Sequence, residues 1–299
     1  MWLISLAIGL LAGILTGMIS VGGGVIVTSL LILFTSWLAL GLNMKEIAMT
    51  TSIYTVFSTL SGAVYYYTQK LVQLKAIVYF GAPALLSSLI FSQIANTLSD
   101  ELLKGIFAFF SIVATISILL PKKETSGDQE ENYSLVLSVL LSIGVGAVGG
   151  LIGVAAGFLY MPIFIRMFGM PVKKAVGTGL LVGMMLASGT ILGKFGGNYF
   201  RLDLTVPLIL GGVAGVYFGG KMASFMKDQW LKVMMAVAII GVTIQVLFEY
   251  LYHTLQISLS LALIVLTVVF VMILAGTYMM GRPQRANEGI TNKSSKLGG

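Results

Sequence analysis

Apolar and polar stretches alternate along this chain on the length scale of a membrane. Apolar segments fall at roughly 3–20, 25–40, 47–67, 76–97, 103–120, 134–151, 156–168, 175–196, 204–225, 230–249 and 256–279. A straight crossing needs about 20 apolar residues, and most of these segments reach it. Segments 25–40 and 156–168 do not, and each follows directly on a glycine-rich break. The pattern predicts helices throughout, with these two short pieces as half-helices or one arm of a re-entrant hairpin.

The two breaks resemble each other. The first reads Gly13-Ile-Leu-Thr-Gly17-Met-Ile-Ser20-Val-Gly22-Gly23-Gly24, the second Gly146-Ala-Val-Gly149-Gly150-Leu-Ile-Gly153-Val-Ala155-Ala156-Gly157. An offset of 133 sets Gly13 on Gly146, Gly17 on Gly150, Ser20 on Gly153 and Gly24 on Gly157. The match continues downstream. Ala48 and Thr51 fall on Ala175 and Thr178, and Ser61-Gly62 on Ser188-Gly189, at offset 127. Leu74, Asp100, Leu103 and Lys104 fall on Leu202, Asp228, Leu231 and Lys232 at offset 128. The reading is an internal duplication. Residues 1–120 and 134–250 form two repeats of about five helical segments, joined by a polar linker at 121–133. An extra transmembrane helix at 255–280 and a polar tail at 281–299, expected to be disordered, complete the chain.

Composition agrees with an all-α polytopic membrane protein. The chain is 57% hydrophobic and only 10% charged, against about 25% charged in a soluble domain. The N-terminal apolar run has no basic flank and reads as a first membrane segment, not a cleaved signal peptide. The net charge of +7 does not point to nucleic acid, because the basic residues sit in short loops between spans.

Those loops set the topology. Let each broken pair, 3–20 with 25–40 and 134–151 with 156–168, make two crossings or none, with the C-terminus inside. The outer loops then hold only Lys45, Lys104, Lys194 and Arg201 of the 18 basic residues. Treating each pair as one crossing moves Lys70, Lys75, Lys122 and Lys123 out and brings only Lys45 and Lys104 in. The positive-inside rule favours the first arrangement and a cytoplasmic C-terminus. Each repeat then crosses an odd number of times, so the two have inverted topology, and their breaks are expected to meet near the midplane.

Non-helical backbone at membrane depth is tolerated where it lines a cavity or is buried in protein. A helix restarting after a break presents unpaired N–H groups and partial positive charge, which suit an anion without any basic side chain. The candidate substrate-binding residues are therefore Ser20, Gly22, Gly23, Gly24 and Thr51 in the first half, and Ala155, Ala156, Gly157 and Thr178 in the second. Thr28 and Ser29 lie one turn into the helix after the first break. The Gly13/Gly17 and Gly146/Gly150 pairs read as close helix contacts. A helix could continue through Ala155-Ala156, which makes the second break the weaker one. Lys194, Glu249 and Lys221 lie near segment ends, where long side chains snorkel to the interface. Tyr65, Tyr66 and Tyr67 read as an interfacial belt, and His253 as a solvated outer loop.

Enzymatic chemistry is not expected. The chain has no cysteine and a single histidine, which excludes thiolate metal sites and any histidine cluster. No cofactor or metal is anticipated. The expected partners are a small anion and the lipid bilayer, and self-association is open.

The repeated order of Gly-x3-Gly, glycine-rich break, short helix with Met161-Pro162 in the second copy, and an Ala-x2-Thr segment entry at Ala48 and Ala175 resembles the TauE/SafE sulfite-exporter family over about residues 5–250. Ala155-Ala156 departs from a fully glycine break, and Ser29 stands where the second half has Pro162. The resemblance implies a multi-pass inner-membrane permease for a small sulfur-containing anion such as sulfite or an organosulfonate. An anion channel built on the same helix ends, or a permease for a non-sulfur organic acid, is the alternative.

Overall fold

The computed structural model describes residues 2–21, 23–38, 41–119, 135–197 and 199–254, the side chains of 34–38, 118, 119, 253 and 254 apart. Gly22, the linker and everything from 255 onward, including the expected extra helix and tail, lie outside the described residues. The described chain is all helical. Helices α1 Trp2–Ile19, α2 Gly23–Leu38, α3 Met44–Thr68, α4 Leu74–Ala95 and α5 Asp100–Leu119 precede the linker. Helices α6 Leu135–Ile152, α7 Gly157–Met167, α8 Val172–Lys194, α9 Leu202–Phe225 and α10 Asp228–Glu249 follow it. Among the described residues seven helices are long and apolar enough to cross a membrane, so this is an all-α polytopic membrane protein.

Local chemistry fixes the helix boundaries. Asn43 opens α3 with a capping box: its side chain accepts from Glu46 N at 2.8 Å, and Glu46 accepts from Asn43 N at 3.0 Å. This satisfies two of the amides that any helix start leaves unpaired. Pro162 lies inside α7. It lacks an N–H for the helical ladder, and the helix widens into a π turn over Ile163–Met167, a usual accommodation of a lost bond. A further π turn, Tyr250–Thr254, continues α10, so the backbone at His253 is helical where a loop was expected.

The packing is reciprocal. Helix α1 lies against α9, and α6 lies against α4. Helix α3 also touches α9, as α8 touches α4, and α3 and α8 pack on each other, as do α5 and α10. Shifting every label by five exchanges these contacts or returns them unchanged.

The exchange holds at the level of atoms. A Cβ on Gly13 would lie 2.8 Å from the Gly212 carbonyl oxygen, and one on Gly146 2.5 Å from that of Ala84. Gly17 presses likewise on Val216 and Gly150 on Ser88. In both seams the small residues let backbones touch, as helix packing in lipid requires. Lys45 Nζ donates to Asn96 O at 2.8 Å, and Lys173 Nζ to Ser224 O at 2.9 Å. Where α5 meets α10, the Thr115 and Thr243 hydroxyls share a buried hydrogen bond of 2.9 Å across a separation of 128 residues.

Candidate functional site

Both breaks interrupt the helix. Helix α1 stops at Ile19 and α6 at Ile152. The residues that follow them closely, Ser20 and Gly153, both turn left-handed, with φ of 48° and 81°. Glycine adopts that region freely, whereas Ser20 does so at a cost of about 1–2 kcal/mol. In the second break Ala156 is also left-handed, at φ 45°, and stands as the N-cap of α7 without a side-chain bond to it. The alanines therefore do not carry the helix through.

The two breaks lie side by side. A Cβ on Gly24 would contact Thr55 Oγ1 at 2.8 Å, Ala155 N at 3.5 Å and Thr51 O at 3.8 Å. The first turn of α2 thus faces the second break across α3. Thr51 Oγ1 sits 2.9 Å from Ile47 O and 3.2 Å from Gly153 O, and Ser52 Oγ donates to Gly153 O at 3.1 Å. The carbonyl at the end of α6 is therefore held by α3. Its counterpart at Ser20 is approached by Tyr160 of α7, whose hydroxyl donates to Gly179 O at 2.8 Å and lies 3.5 Å from Ser20 O.

The candidate residues divide in two. Ser20, Gly23, Gly24, Thr51, Ala155, Ala156 and Gly157 come together around the adjoining breaks, all buried. Thr178 is also buried, but its oxygen accepts the Gln73 amide at 3.0 Å, at the start of α4. Polar satisfaction differs as well. Ser20 Oγ, Thr28 Oγ1 and Ser29 Oγ are buried with no hydrogen-bond partner among the described residues. Buried hydroxyls are normally paired, and a lone one costs about 1–3 kcal/mol.

Three tyrosines complete the surroundings. Tyr54 donates to Gly9 O at 3.2 Å and places its ring edge 3.0 Å from a Cβ on Gly23. Tyr66 donates to Gly17 O at 2.8 Å. Tyr66 is buried, so the expected aromatic belt is confined to its neighbours. Tyr54 and Tyr160 were not among the sequence candidates. Their positions in the middle of apolar segments, far from either interface, were the signal that could have found them.

Two further corrections concern charge. Lys194 does not snorkel: it is 0% exposed. Glu249 is buried too, with Lys104 Nζ at 3.9 Å, while Lys221 is exposed as expected. An apolar crevice of about 560 Å³ between α5, α6 and α7, lined by residues such as Phe110, Leu141, Val148 and Phe158, offers an oxyanion little to bond. Among the described residues no three His, Cys, Asp or Glu side chains are grouped to hold a metal ion.

The sequence is similar to known proteins. Residues 5–246 match the family model described as sulfite exporter TauE/SafE. The chain is 27% identical to "Probable membrane transporter protein YdhB" of Bacillus subtilis (strain 168), over 74% of this chain and 90% of that protein. It is 26% identical to "Probable membrane transporter protein YunE" of the same organism, over 83% of this chain and 98% of that one. A third similar protein, "Probable membrane transporter protein" of Haemophilus influenzae, is 25% identical over 74% and 87% of the two chains. No solved structure matches. With four-fifths of its length inside the family model, the chain is a membrane transporter that belongs to the TauE/SafE sulfite exporter family.

Proposed function

We propose that this protein carries a small sulfur-containing anion, such as sulfite or an organosulfonate, out across the inner membrane by alternating access. The anion is held near the midplane where the two breaks adjoin. The observation that carries this reading is the narrow gap at Gly24, where a Cβ would meet Ala155 N, Thr51 O and Thr55 Oγ1, which sets the start of α2 against the break that precedes α7. Their leading amides and dipoles favour negative charge. Ser20 with its unpartnered hydroxyl, Gly22, Gly23, Gly24, Thr51, Ala155, Ala156 and Gly157 form the cradle, and Thr178 braces it from α8.

The reciprocal helix contacts support two inverted repeats, because a two-fold axis in the membrane plane generates such exchanged pairs. On that arrangement the C-terminus is cytoplasmic. The burial of the described cradle residues supports an occluded carrier over an open channel. An inside-negative potential drives an anion outward by about 2.3 kcal/mol per charge per 100 mV, so export needs no coupling ion.

Proteoliposomes test this. Purified protein should release preloaded sulfite or methanesulfonate faster when an outward driving potential is imposed. Counterflow exchange should accelerate it further, which a channel does not show. Potential-independent release of every sulfur oxyanion and organic acid tried would overturn the reading.

A further inference from the structure

We propose that Lys194 forms a second, charged site for a small monovalent oxyanion, at the end of the bundle where α8 finishes and α3 and α5 begin. The proposal rests on the reading that the chain moves a small anion, and it places a second anion site well away from the breaks, on the outer side where an exported anion leaves. Lys194 is the last residue of α8. Its ammonium is buried and has no hydrogen-bond partner among the described residues. An unpaired buried ammonium is among the costliest arrangements a protein adopts, so a negatively charged complement is called for.

The nearby groups are committed elsewhere. Asp100 and Lys45 are the charges that act on Lys194. Asp100 Oδ2 accepts the Met44 amide at 3.0 Å, and Lys45 Nζ is bonded to Asn96 O. Glu46 is engaged in the α3 capping box, and Arg201 pairs with Asp203 at 3.1 Å. Around Lys194 two ammonium groups thus face one carboxylate, which suits a single negative charge. Asn96 Nδ2 donates to Gly193 O at 3.4 Å, which orients the amide and leaves its buried Oδ1 without a donor. A monovalent oxyanion bearing one O–H, such as bisulfite, complements both orphans: its charge meets Lys194 and its O–H meets Asn96.

The site is separate from the breaks. Gly183 of α8 abuts Tyr160 and Ala155. Lys194 lies 11 residues further, roughly 16 Å along the helix. It has no counterpart in the first half, where offset 127 sets it on Tyr67, an exposed residue. The charged anion site is therefore built into one membrane face only.

The test uses full-length protein in detergent, with bisulfite, inorganic phosphate and matched sodium chloride as probes. With the break blocked by Gly24→Val, the melting temperature should still rise with bisulfite above the chloride control. That rise should vanish in Gly24→Val/Lys194→Met. In the otherwise wild-type chain, Lys194→Met should raise the anion-free melting temperature, because it removes an unpaired charge, whereas a merely structural lysine would lower it. In oriented proteoliposomes the same variant should raise the half-saturation concentration on one face by about tenfold or more, with maximal flux kept. An oxyanion response that survives in Gly24→Val/Lys194→Met, or is absent whenever the break is blocked, overturns the site. The transporter reading is judged separately, by potential-driven flux.

Discussion

The two breaks use one backbone device for different chemistry. Each ends its helix in a left-handed residue, at Ser20 and at Gly153. At Gly153 the freed carbonyl faces two hydroxyls of α3, Thr51 and Ser52, and the backbone beyond it is lined by alanines. At Ser20 the backbone is bound less firmly, and the hydroxyls of Ser20, Thr28 and Ser29 are buried without partners. The second break is held in shape by its neighbours, and the first keeps hydrogen-bonding capacity in reserve. On the proposed reading of two repeats, the second break serves as anchor and the first as the surface offered to the ligand.

The sharpest way to break this contrast is at Gly153. Alanine there would be forced to φ 81° with its Cβ driven into Ala48, whose Cα lies 2.8 Å away. A loss of about 3 kcal/mol or more is expected from strain plus overpacking, read as a collapse in thermal stability. Gly24→Ala tests the other break. Its Cβ would push Thr55 Oγ1 from its 2.7 Å bond to Thr51 O. About 2 kcal/mol of stability should go, but anion flux should fall further, by at least about tenfold, because the methyl occupies the space between the breaks.

Smaller effects refine the division of labour. Thr178→Val removes the acceptor for the buried Gln73 amide and should cost about 1.5 kcal/mol, measured by chemical or thermal unfolding in detergent. Ser20→Ala should leave stability within about 0.5 kcal/mol of wild type, since no bond is lost. It should nevertheless raise the anion's half-saturation concentration about fivefold, roughly the worth of one hydrogen bond. If Ser20→Ala proves as destabilising as Thr178→Val, the first break is an anchor like the second and the contrast fails.

The helices were legible because lipid imposes a length rule. Boundaries read from apolar runs, such as 204–225 against α9 and 134–151 against α6, fall within a residue or two of the structure. The Gly-x3-Gly pairs announced the α1–α9 and α6–α4 seams, although which helix each would meet depended on the whole fold. The state of the second break was not legible. Alanine favours helix, and only the turn at Gly153 and the grip of Thr51 and Ser52 keep Ala156 out of it. Thr178 matched Thr51 in sequence, yet it faces Gln73 because α4 starts where the chain after α3 turns back. Lys194 was misjudged for a related reason. A lysine at a span end normally reaches water, but the ends of α3 and α4 close over this one.

The hydrogen bond between Thr115 and Thr243 has a historical consequence. These positions correspond at offset 128, so each hydroxyl meets its own equivalent. If the halves arose from one gene whose product paired with itself in opposite orientations, this position faced its own copy. Any substitution there struck both sides of the contact at once. Small self-complementary residues survive such a constraint, because each hydroxyl both donates and accepts. Fusion into a single chain would lift it, leaving paired positions free to drift apart, as Ser20 and Gly153 differ here. On that history, Thr115 and Thr243 keep the pairing of the symmetric ancestor.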